Sequence, residues 1–284
     1  MTKKKLSTVF LIAGSEPLGS AGMQADIKAI TACGGYAACA LTGIVDEDTR
    51  HVKSVTPLPV DLVVSQAESF LGDVGAQCIK TGVLPTAEMI DGVAKTLRRY
   101  PDTLKVIDPE IVDSNGVQLV SNESIEAYKR QLFPLATLIT PNRREAEVLL
   151  KRQITNIQED IKELGQWGCS VIIKSIEKQV FEGHGTSAKN MLSDYLYNAQ
   201  TGEVREFTKR RIDTHNVNGT GDSFSSAIAT YLAKGYHLDH AVEKGEEFIN
   251  KAIALGAEYE FGHGYGPVHP CFMEDKVVHE RIYN

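Results

Sequence analysis

Short apolar segments alternate with longer amphipathic segments along the first 174 residues, and this alternation restricts the possible folds more than any other feature of the sequence. The apolar runs predict buried strands at residues 9–13, 37–45, 78–80, 104–107, 137–140 and 171–174. The amphipathic segments predict helices at residues 21–32, 61–71, 86–99, 121–132, 143–150 and 157–167. This order favours an α/β fold with a central, mainly parallel sheet flanked by helices on both faces.

The last third of the chain has a different pattern. Residues 194–197 and 204–207 flank a polar turn that contains Gly202, which predicts a small β-hairpin. Helices are predicted at 224–232 and 238–255, and residues 183–189 are a candidate flexible loop. Because no internal repeat or interdomain linker is found, we expect residues 1–284 to form a single domain.

Composition restricts the compartment and the class of partner. Hydrophobic residues make up 42% and charged residues 24% of the chain, as in ordinary soluble enzymes. A net charge of −7 argues against a broad nucleic-acid-binding surface. The five scattered cysteines include no CxxC pair, which favours free thiols in a reducing compartment. Since no apolar run approaches the length of a membrane span, we expect a cytoplasmic protein with neither nucleic acid nor membrane as partner.

Polar and glycine residues cluster where the predicted strands end. Right-handed crossovers place the carboxyl ends of parallel strands on one edge of the sheet, and open α/β sheets bind ligands there. The residues in question are Gly14, Ser15, the segment 46–49, the segment 80–82, Asp108, Asn142 and Lys174. This common location predicts a binding site at that edge.

The segment Asn218-Gly219-Thr220-Gly221-Asp222 leads directly into a predicted helix. Glycines let the backbone approach a ligand closely, and the amide groups and dipole of a helix N-terminus attract anions, most often phosphate. A carboxylate beside a phosphate needs a separate reason, and one such reason is to accept a proton from an attacking hydroxyl group. The alternative is an ordinary loop in which Asp222 caps the helix.

Four other candidates also have a structural interpretation. Asp26 lies in the first turn of a helix, where it either stabilises the helix dipole or faces the site and binds a polar ring. Asn142 and Glu145 share one face of a helix start, where they either support the helix or hold a magnesium ion through water. Lys174 either faces solvent or binds a phosphate chain. The glycine-rich segment 262–268 is either a disordered tail or a loop folded over a ligand.

Several ordered motifs match one known family over nearly the whole chain. They are residues 13–15, 21–28, 80–84, 108–109, 138–142 with 145–146, 219–221 and 262–268. On these motifs the chain resembles the hydroxymethylpyrimidine and phosphomethylpyrimidine kinases of thiamine biosynthesis, within the ribokinase-like superfamily. The resemblance implies ATP and Mg²⁺ as cofactors, often a homodimer, and two successive phosphorylations of an aminopyrimidine that carries a hydroxymethyl group.

The resemblance also implies roles for individual residues. Gly219, Thr220 and Gly221 would form the anion hole for the transferred phosphoryl group, with Asp222 as the base. Asp108, Asn142, Glu145 and Lys174 would bind the nucleotide, with Asn142 and Glu145 organising Mg²⁺. Gly14, Asp26, Glu47 and Gly82 would contact the substrate, Asp26 at its amino-substituted edge.

The sequence departs from the family at three positions. The pyrimidine kinases usually carry Cys where this chain has Asp222, whereas ribokinase and many pyridoxal kinases carry Asp. A ring-binding Gln is usual at Glu47, and a glutamate donates a hydrogen bond only when protonated. The usual Lys-Gly-Gly becomes Lys174-Ser175-Ile176, which predicts a stiffer loop near the nucleotide.

Two alternatives follow from these departures. One is a pyridoxal or pyridoxine kinase of vitamin B6 salvage, which Asp222 and the acidic segment 46–48 favour. The other is a regulator that binds a ring compound without catalysis, which the changed lysine loop and Glu47 favour. The intact phosphate loop and its acid favour a kinase over the regulator.

Overall fold

The computed structural model describes residues 5–112, 118–181 and 188–271. In this part of the chain the strands are β1 (Thr8–Ser15), β2 (Tyr36–Glu47), β3 (Val52–Pro57), β4 (Cys78–Thr81), β5 (Leu104–Ile107), β6 (Leu138–Ile139), β7 (Ser170–Phe181), β8 (Ala188–Asn198) and β9 (Glu203–Arg210). The helices are α1 (Gly22–Ala32), α2 (Val60–Asp73), α3 (Ala87–Arg98), α4 (Asn122–Ala127), α5 (Arg143–Leu150), α6 (Ile157–Leu164), α7 (Thr220–Ala233) and α8 (Leu238–Gly256).

All of these strands belong to one sheet, in the order β3-β2-β1-β4-β5-β6-β7-β8-β9. The six strands from β2 to β7 in this order run parallel to one another. At one edge β3 pairs antiparallel with β2, and at the other β8 and β9 continue antiparallel from β7. The predicted central, mainly parallel sheet is confirmed.

Alternate residues of the buried strands pack on opposite faces of the sheet. In β1, Phe10 and Ile12 belong to the cluster that α2 to α6 cover, and Val9 and Leu11 belong to the cluster that α1, α7 and α8 cover. Because both faces are buried, such a strand is apolar throughout, and this is why its sequence shows no polar alternation. The helices on both faces are thereby confirmed. In the described residues no helix has both the length and the hydropathy needed to span a bilayer.

Strand β3 was not predicted from the sequence. All six of its residues are exposed, so it lacks the apolar run that marked the other strands. It pairs with the distal half of β2, which continues to Glu47, two residues beyond the predicted end. The turn between them, residues 48–51, therefore projects from the carboxyl edge of the sheet.

The region after residue 170 is more extended than predicted. The hairpin is confirmed, but β7 continues past Lys174 to Phe181, so that β7, β8 and β9 form an antiparallel extension of the sheet. The predicted flexible loop at 183–189 lies mainly outside the described residues. The helix predicted at 121–132 is α-helical only over Asn122–Ala127 and continues as a π-helical turn over Tyr128–Leu132.

Candidate active site

A cavity of about 830 Å³ opens at the carboxyl edge of the sheet. Ten of the twelve residues predicted for the site line it: Gly14, Glu47, Asp108, Asn142, Glu145, Lys174, Gly219, Thr220, Gly221 and Asp222. The cavity is within the range of sizes typical of small-molecule sites. The structure therefore brings together residues that lie more than 200 positions apart in the sequence.

The glycine-rich turn before α7 forms one wall of this cavity. Gly219 has φ +72° and is the residue immediately before the helix. A Cβ atom at this position would lie 1.8 Å from the carbonyl oxygen of Ser20 in the loop between β1 and α1. The turn can therefore pack against that loop only if residue 219 is glycine. A glycine has no side chain with which to cap the helix, and the first turn of α7 lines the cavity. The positive end of the helix dipole is thus available to an anion in the cavity.

Neighbouring segments hold this turn in place. The side chain of Asn218 donates a hydrogen bond to Ser20 Oγ at 2.9 Å, and its backbone exchanges hydrogen bonds with Gly266 and Val268. The hydroxyl group of Thr220 donates to the carbonyl oxygen of Val217 at 2.6 Å. The turn is therefore fixed before any ligand binds, which lowers the entropic cost of binding.

Asp222 projects from the first turn of α7 beside a buried ammonium group. Its Oδ1 lies 3.5 Å from Lys80 Nζ, and its side chain is 13% exposed. Burial alone would raise the pKa of Asp222, but Lys80 and a hydrogen bond from Glu110 outweigh burial and hold that pKa below its usual range. Asp222 is therefore ionised at neutral pH and can accept a hydrogen bond from a hydroxyl group.

Asp26 and Gly82 are not among the residues that line the cavity, and the substrate contacts predicted for them remain predictions. Asp26 is fully buried under α7, where its Oδ1 accepts hydrogen bonds from Lys80 Nζ and Ser226 Oγ, each at 2.7 Å. Its carboxylate balances the charge of Lys80, and Lys80 in turn faces Asp222. Asp26 thus acts on the cavity through Lys80.

Asn142 and Glu145 form a reciprocal cap at the start of α5. Asn142 Oδ1 accepts from the Glu145 amide at 3.0 Å, and Glu145 Oε2 accepts from the Asn142 amide at 2.8 Å. The other oxygen of Glu145, Oε1, accepts from the amide of Ile111 at 2.8 Å. Asn142 and Glu145 therefore support the start of the helix, which is the structural interpretation given for them above.

The same pair also lines the cavity. Each carboxylate oxygen of Glu145 accepts one hydrogen bond and keeps a second lone pair. In the described residues no group of three or more His, Cys, Asp or Glu side chains could hold a metal directly. This set of donors fits a hydrated Mg²⁺ held through water and phosphate oxygens, which is how magnesium usually binds beside nucleotides.

Lys174 lies at an irregular point in β7. Its Nζ is 3.3 Å from Asp108 Oδ1, and both side chains are buried. The next residue, Ser175, has φ +63°, a conformation that favours glycine, and its amide donates to Asp194 Oδ1 at 2.7 Å. The loop therefore keeps a glycine-like backbone although its sequence is not glycine, and the lysine still reaches the cavity.

Glu47 lies at the end of β2 and also lines the cavity. Burial, followed by the charges of Glu16, Asp222 and Asp48, raises the pKa of Glu47 to about 7. Near neutral pH its carboxyl group is therefore protonated in a large share of molecules and can donate a hydrogen bond as a glutamine does. The absence of a glutamine at this position does not exclude hydrogen-bond donation to a ring.

Two acidic residues of the site were missed from the sequence. Glu16 is buried, and its carboxylate accepts hydrogen bonds from the amides of Gly19 and Ala21 at 3.0 and 2.8 Å, which shapes the loop after β1. Glu110 lines the cavity beside Asp222. Glu110 follows Asp108-Pro109 at a strand end, and its position there was the only available signal.

The glycine-rich segment 262–268 is folded against the cavity rather than extended as a tail. The amide of Tyr265 donates to the carbonyl oxygen of Thr49 at 2.8 Å, and the amide of His263 donates to Thr49 Oγ1 at 3.2 Å. Tyr265 itself lines the cavity. This segment therefore connects the turn between β2 and β3 to the turn before α7, because Pro267 also forms a bridge with Asn218.

Comparisons with known sequences find one family over most of the chain. The model of the family described as phosphomethylpyrimidine kinase matches residues 16–269. The hydroxymethylpyrimidine/phosphomethylpyrimidine kinase of Escherichia coli is 32% identical over 262 residues, which cover 91% of this chain and 95% of that one. The thiamine biosynthesis bifunctional protein ThiED of Geobacter sulfurreducens is 34% identical over 95% of this chain, and the match spans 53% of that longer protein.

Solved structures of two kinds of vitamin kinase resemble the chain. The phosphomethylpyrimidine kinase of Clostridium difficile has a TM-score of 0.73 and 29% identity, and covers 87% of this chain and 99% of its own. The pyridoxal kinase of Staphylococcus aureus in complex with AMP-PCP and pyridoxal has a TM-score of 0.79 and 29% identity, with 95% of each chain covered.

Proposed function

This chain belongs to the phosphomethylpyrimidine kinase family and is a phosphotransferase. We propose that it acts in thiamine biosynthesis, where it phosphorylates the hydroxymethyl group of 4-amino-5-hydroxymethyl-2-methylpyrimidine. We propose that it then phosphorylates the resulting monophosphate. The predicted ribokinase-like α/β fold is confirmed. The observation that carries the proposal is the ionised Asp222 at the start of α7, beside a glycine turn that leaves the helix dipole open to the cavity.

In the proposed reaction the substrate hydroxyl group donates a hydrogen bond to Asp222 and attacks the γ-phosphorus of ATP. The new P–O bond forms as the bond to the β–γ bridging oxygen breaks, ADP leaves, and Asp222 accepts the hydroxyl proton. The amides of Gly219 and Gly221 would face the phosphoryl oxygens and stabilise their charge, while the amide of Thr220 donates to the carbonyl oxygen of Val217 at 3.2 Å and holds the turn in shape. A loose transition state makes little demand on the strength of the base, so a carboxylate of low pKa suffices if it is well positioned.

We assign the nucleotide end of the cavity to Lys174, Asp108 and the cap formed by Asn142 and Glu145. Lys174 would contact a phosphate oxygen, and its pairing with Asp108 keeps the ammonium group in place until then. Asn142 and Glu145 would orient the waters of a bound Mg²⁺. That ion would supply Lewis-acid neutralisation of the phosphate charge.

We assign the ring of the substrate to the side of the cavity that Gly14 and Glu47 form. A Cβ atom at Gly14 would lie 2.7 Å from a methyl carbon of Val83, so glycine keeps this wall thin. Glu47 would donate to a ring nitrogen when protonated. One domain over residues 1–284, a homodimer and a cytoplasmic location remain predictions.

A pyridoxal or pyridoxine kinase is the second candidate. The specific observation in its favour is the aspartate at position 222, together with the likeness to a pyridoxal kinase that binds AMP-PCP and pyridoxal. The two activities share the same proton transfer and differ in the ring that the far side of the cavity holds.

A coupled ADP-release assay over five substrates tests the proposal: the hydroxymethylpyrimidine, its monophosphate, pyridoxal, pyridoxine and pyridoxamine. We expect kcat/KM for the hydroxymethylpyrimidine to exceed that for pyridoxal by at least about tenfold, which corresponds to about 1.4 kcal/mol of transition-state binding. Mass spectrometry should then detect the mono- and diphosphate products. A preference for pyridoxal would favour the second candidate, and ring binding without ADP release would favour the regulator.

A further inference from the structure

Glu110 and Asp222 present neighbouring carboxyl groups to the cavity, although they come from different elements: Glu110 from the loop after β5, and Asp222 from the first turn of α7. Each group affects the pKa of the other: the charge of Asp222 raises the pKa of Glu110, and the side chain of Glu110 lowers the pKa of Asp222. Two neighbouring carboxyl groups cannot both be ionised without strong repulsion. One proton therefore lies between them.

The surroundings place that proton on Glu110. Lys80 lies 3.5 Å from Asp222 Oδ1 and stabilises the ionised form of Asp222. Burial, followed by the charge of Asp222, raises the pKa of Glu110 well above its usual range. The other charged groups that face Glu110 are Lys80 on β4, Asp108 on its own loop and Asp26 on α1. Lys80 favours the ionised form of Glu110, but burial and the three aspartates outweigh it.

The backbone and a neighbouring glycine hold Glu110 in this position. Glu110 has φ +44°, a left-handed backbone conformation that is uncommon for a residue with a side chain. Its Oε1 atom is buried without a hydrogen-bond partner in the described residues. A Cβ atom on Gly82 would lie 2.6 Å from that oxygen, so Gly82 makes the space that the carboxyl group occupies. This gives Gly82 a role in the site although it does not line the cavity.

We propose that Glu110 is a positioning residue for Asp222: its protonated carboxyl group holds the Asp222 carboxylate in the orientation that receives the substrate hydroxyl group, and loss of that proton inactivates the enzyme. This inference rests on the proposed function, in which Asp222 is the base. When Glu110 ionises at alkaline pH, two adjacent carboxylates repel each other and also repel the phosphoryl group. Activity then falls on the alkaline side.

The variants Glu110→Gln and Glu110→Ala test this role. A glutamine donates the same hydrogen bond but cannot ionise, so at about pH 7 Glu110→Gln should keep kcat within about threefold of wild type and lose the alkaline decline. Glu110→Ala leaves Asp222 without its donor, and kcat should fall by roughly 10- to 100-fold while KM for ATP stays within about threefold. The exposed Glu88→Gln is the matched control and should keep the wild-type profile. An alkaline decline in Glu110→Gln identical to that of wild type would overturn the proposal.

The Gly82→Ala variant gives a second, independent test. Its methyl group would displace the Glu110 carboxyl group, so it should lower kcat by roughly tenfold or more in wild type but by less than about threefold in the Glu110→Ala background. Equal losses in both backgrounds would contradict the proposed contact.

Thermal unfolding across pH separates a failure of this inference from a failure of the proposed function. When folding raises the pKa of an acidic group, the folded protein loses stability as pH rises through that folded-state pKa. The Tm of Glu110→Gln relative to wild type should therefore increase towards alkaline pH, whichever substrate the enzyme uses. If no substrate releases ADP but this Tm difference widens, the function is wrong and the acid pair stands. If the Tm difference is independent of pH, the acid pair itself is wrong.

Discussion

Lys80 is fully buried between two carboxylates, and its replacement by methionine should destabilise the protein strongly. Lys80 Nζ lies 2.7 Å from Asp26 Oδ1 and 3.5 Å from Asp222 Oδ1, and neither Lys80 nor Asp26 has exposed side-chain surface. Burial works against the charged form of Lys80, but Asp26 and then Asp222 outweigh it and raise the pKa of Lys80. The ammonium group is therefore charged throughout the physiological range.

The magnitude follows from what the variant leaves behind. Removing one partner of a buried ion pair typically costs about 3–5 kcal/mol. In Lys80→Met the carboxylate of Asp26 keeps the hydroxyl group of Ser226, while Asp26 Oδ2 has no partner in the described residues. Burial already raises the pKa of Asp26 to about 7 against the opposing effect of Lys80, so Asp26 can take up a proton at moderate cost. We therefore expect about 3 kcal/mol at neutral pH, which corresponds to a fall in Tm of roughly 6–12 °C.

Thermal and urea unfolding, followed by circular dichroism at several pH values, would measure this loss. The direction of the pH dependence is also expected. In the variant, Asp26 has no cation beside it and its pKa in the folded state is raised. The loss of stability should therefore be small below the pKa of Asp26 in the unfolded chain and should grow as pH rises. Lys80→Met/Asp26→Leu removes both charges and should recover most of the stability. Lys53→Met, which breaks only exposed pairs with Asp46 and Asp48, should leave Tm near that of wild type. If Lys80→Met behaved like Lys53→Met, the pairing inferred for Lys80 would be wrong.

Three further predictions concern the cavity directly. Asp222→Ala should lower kcat by about 10²- to 10⁴-fold with little change in nucleotide affinity, and near-normal ADP release would remove Asp222 from the mechanism. Gly219→Ala should lower the free energy of unfolding by about 2–4 kcal/mol and weaken ADP binding in calorimetry, because φ is +72° and the new Cβ would lie 1.8 Å from the carbonyl oxygen of Ser20. Gly75→Ala is the control: its φ is +75° and nothing lies within 4 Å, so it should show the backbone cost alone. Glu47→Gln should abolish a rise in substrate KM above about pH 7, since the pKa of Glu47 is about 7 and its proton is lost above that pH; the same rise in both enzymes would exclude Glu47 as a donor.

The central strands were predictable because a parallel strand buried on both faces is a short, continuous apolar run. Strand β3 was not predictable, since all its residues are exposed and only its pairing with β2 makes it a strand. The extension of β7 past Lys174 was missed for a similar reason. Its ladder with β8 pairs it with residues 7 to 17 positions further along the chain, which local patterns do not report.

The site divides along the same line. The glycine turn at 219–221 was predictable because its backbone requirement is local and is written in the residue type. The role of Asp26 was not, because the sequence shows its place on α1 but not the ammonium group of Lys80, which comes from β4 and lies between Asp26 and the cavity. Glu110 was missed because its importance depends on a positive φ and on the space that Gly82 leaves, and neither is visible in a run of residue types.

The charges around the cavity explain why protons must be shared within it. Among the described residues, seven acidic side chains line the cavity: Glu16, Glu47, Asp48, Asp108, Glu110, Glu145 and Asp222. Lys174 and Arg50 also line it, and Lys174 is already paired with Asp108. A nucleotide brings several further negative charges, so full ionisation of every carboxyl group would repel it. Placing a proton on Glu110, and at neutral pH on part of Glu47, lowers that repulsion while Lys80 keeps Asp222 ionised. In the proposed mechanism Asp222 would thus stay a basic carboxylate at the reacting hydroxyl group, while Glu110 and part of Glu47 would act as neutral donors.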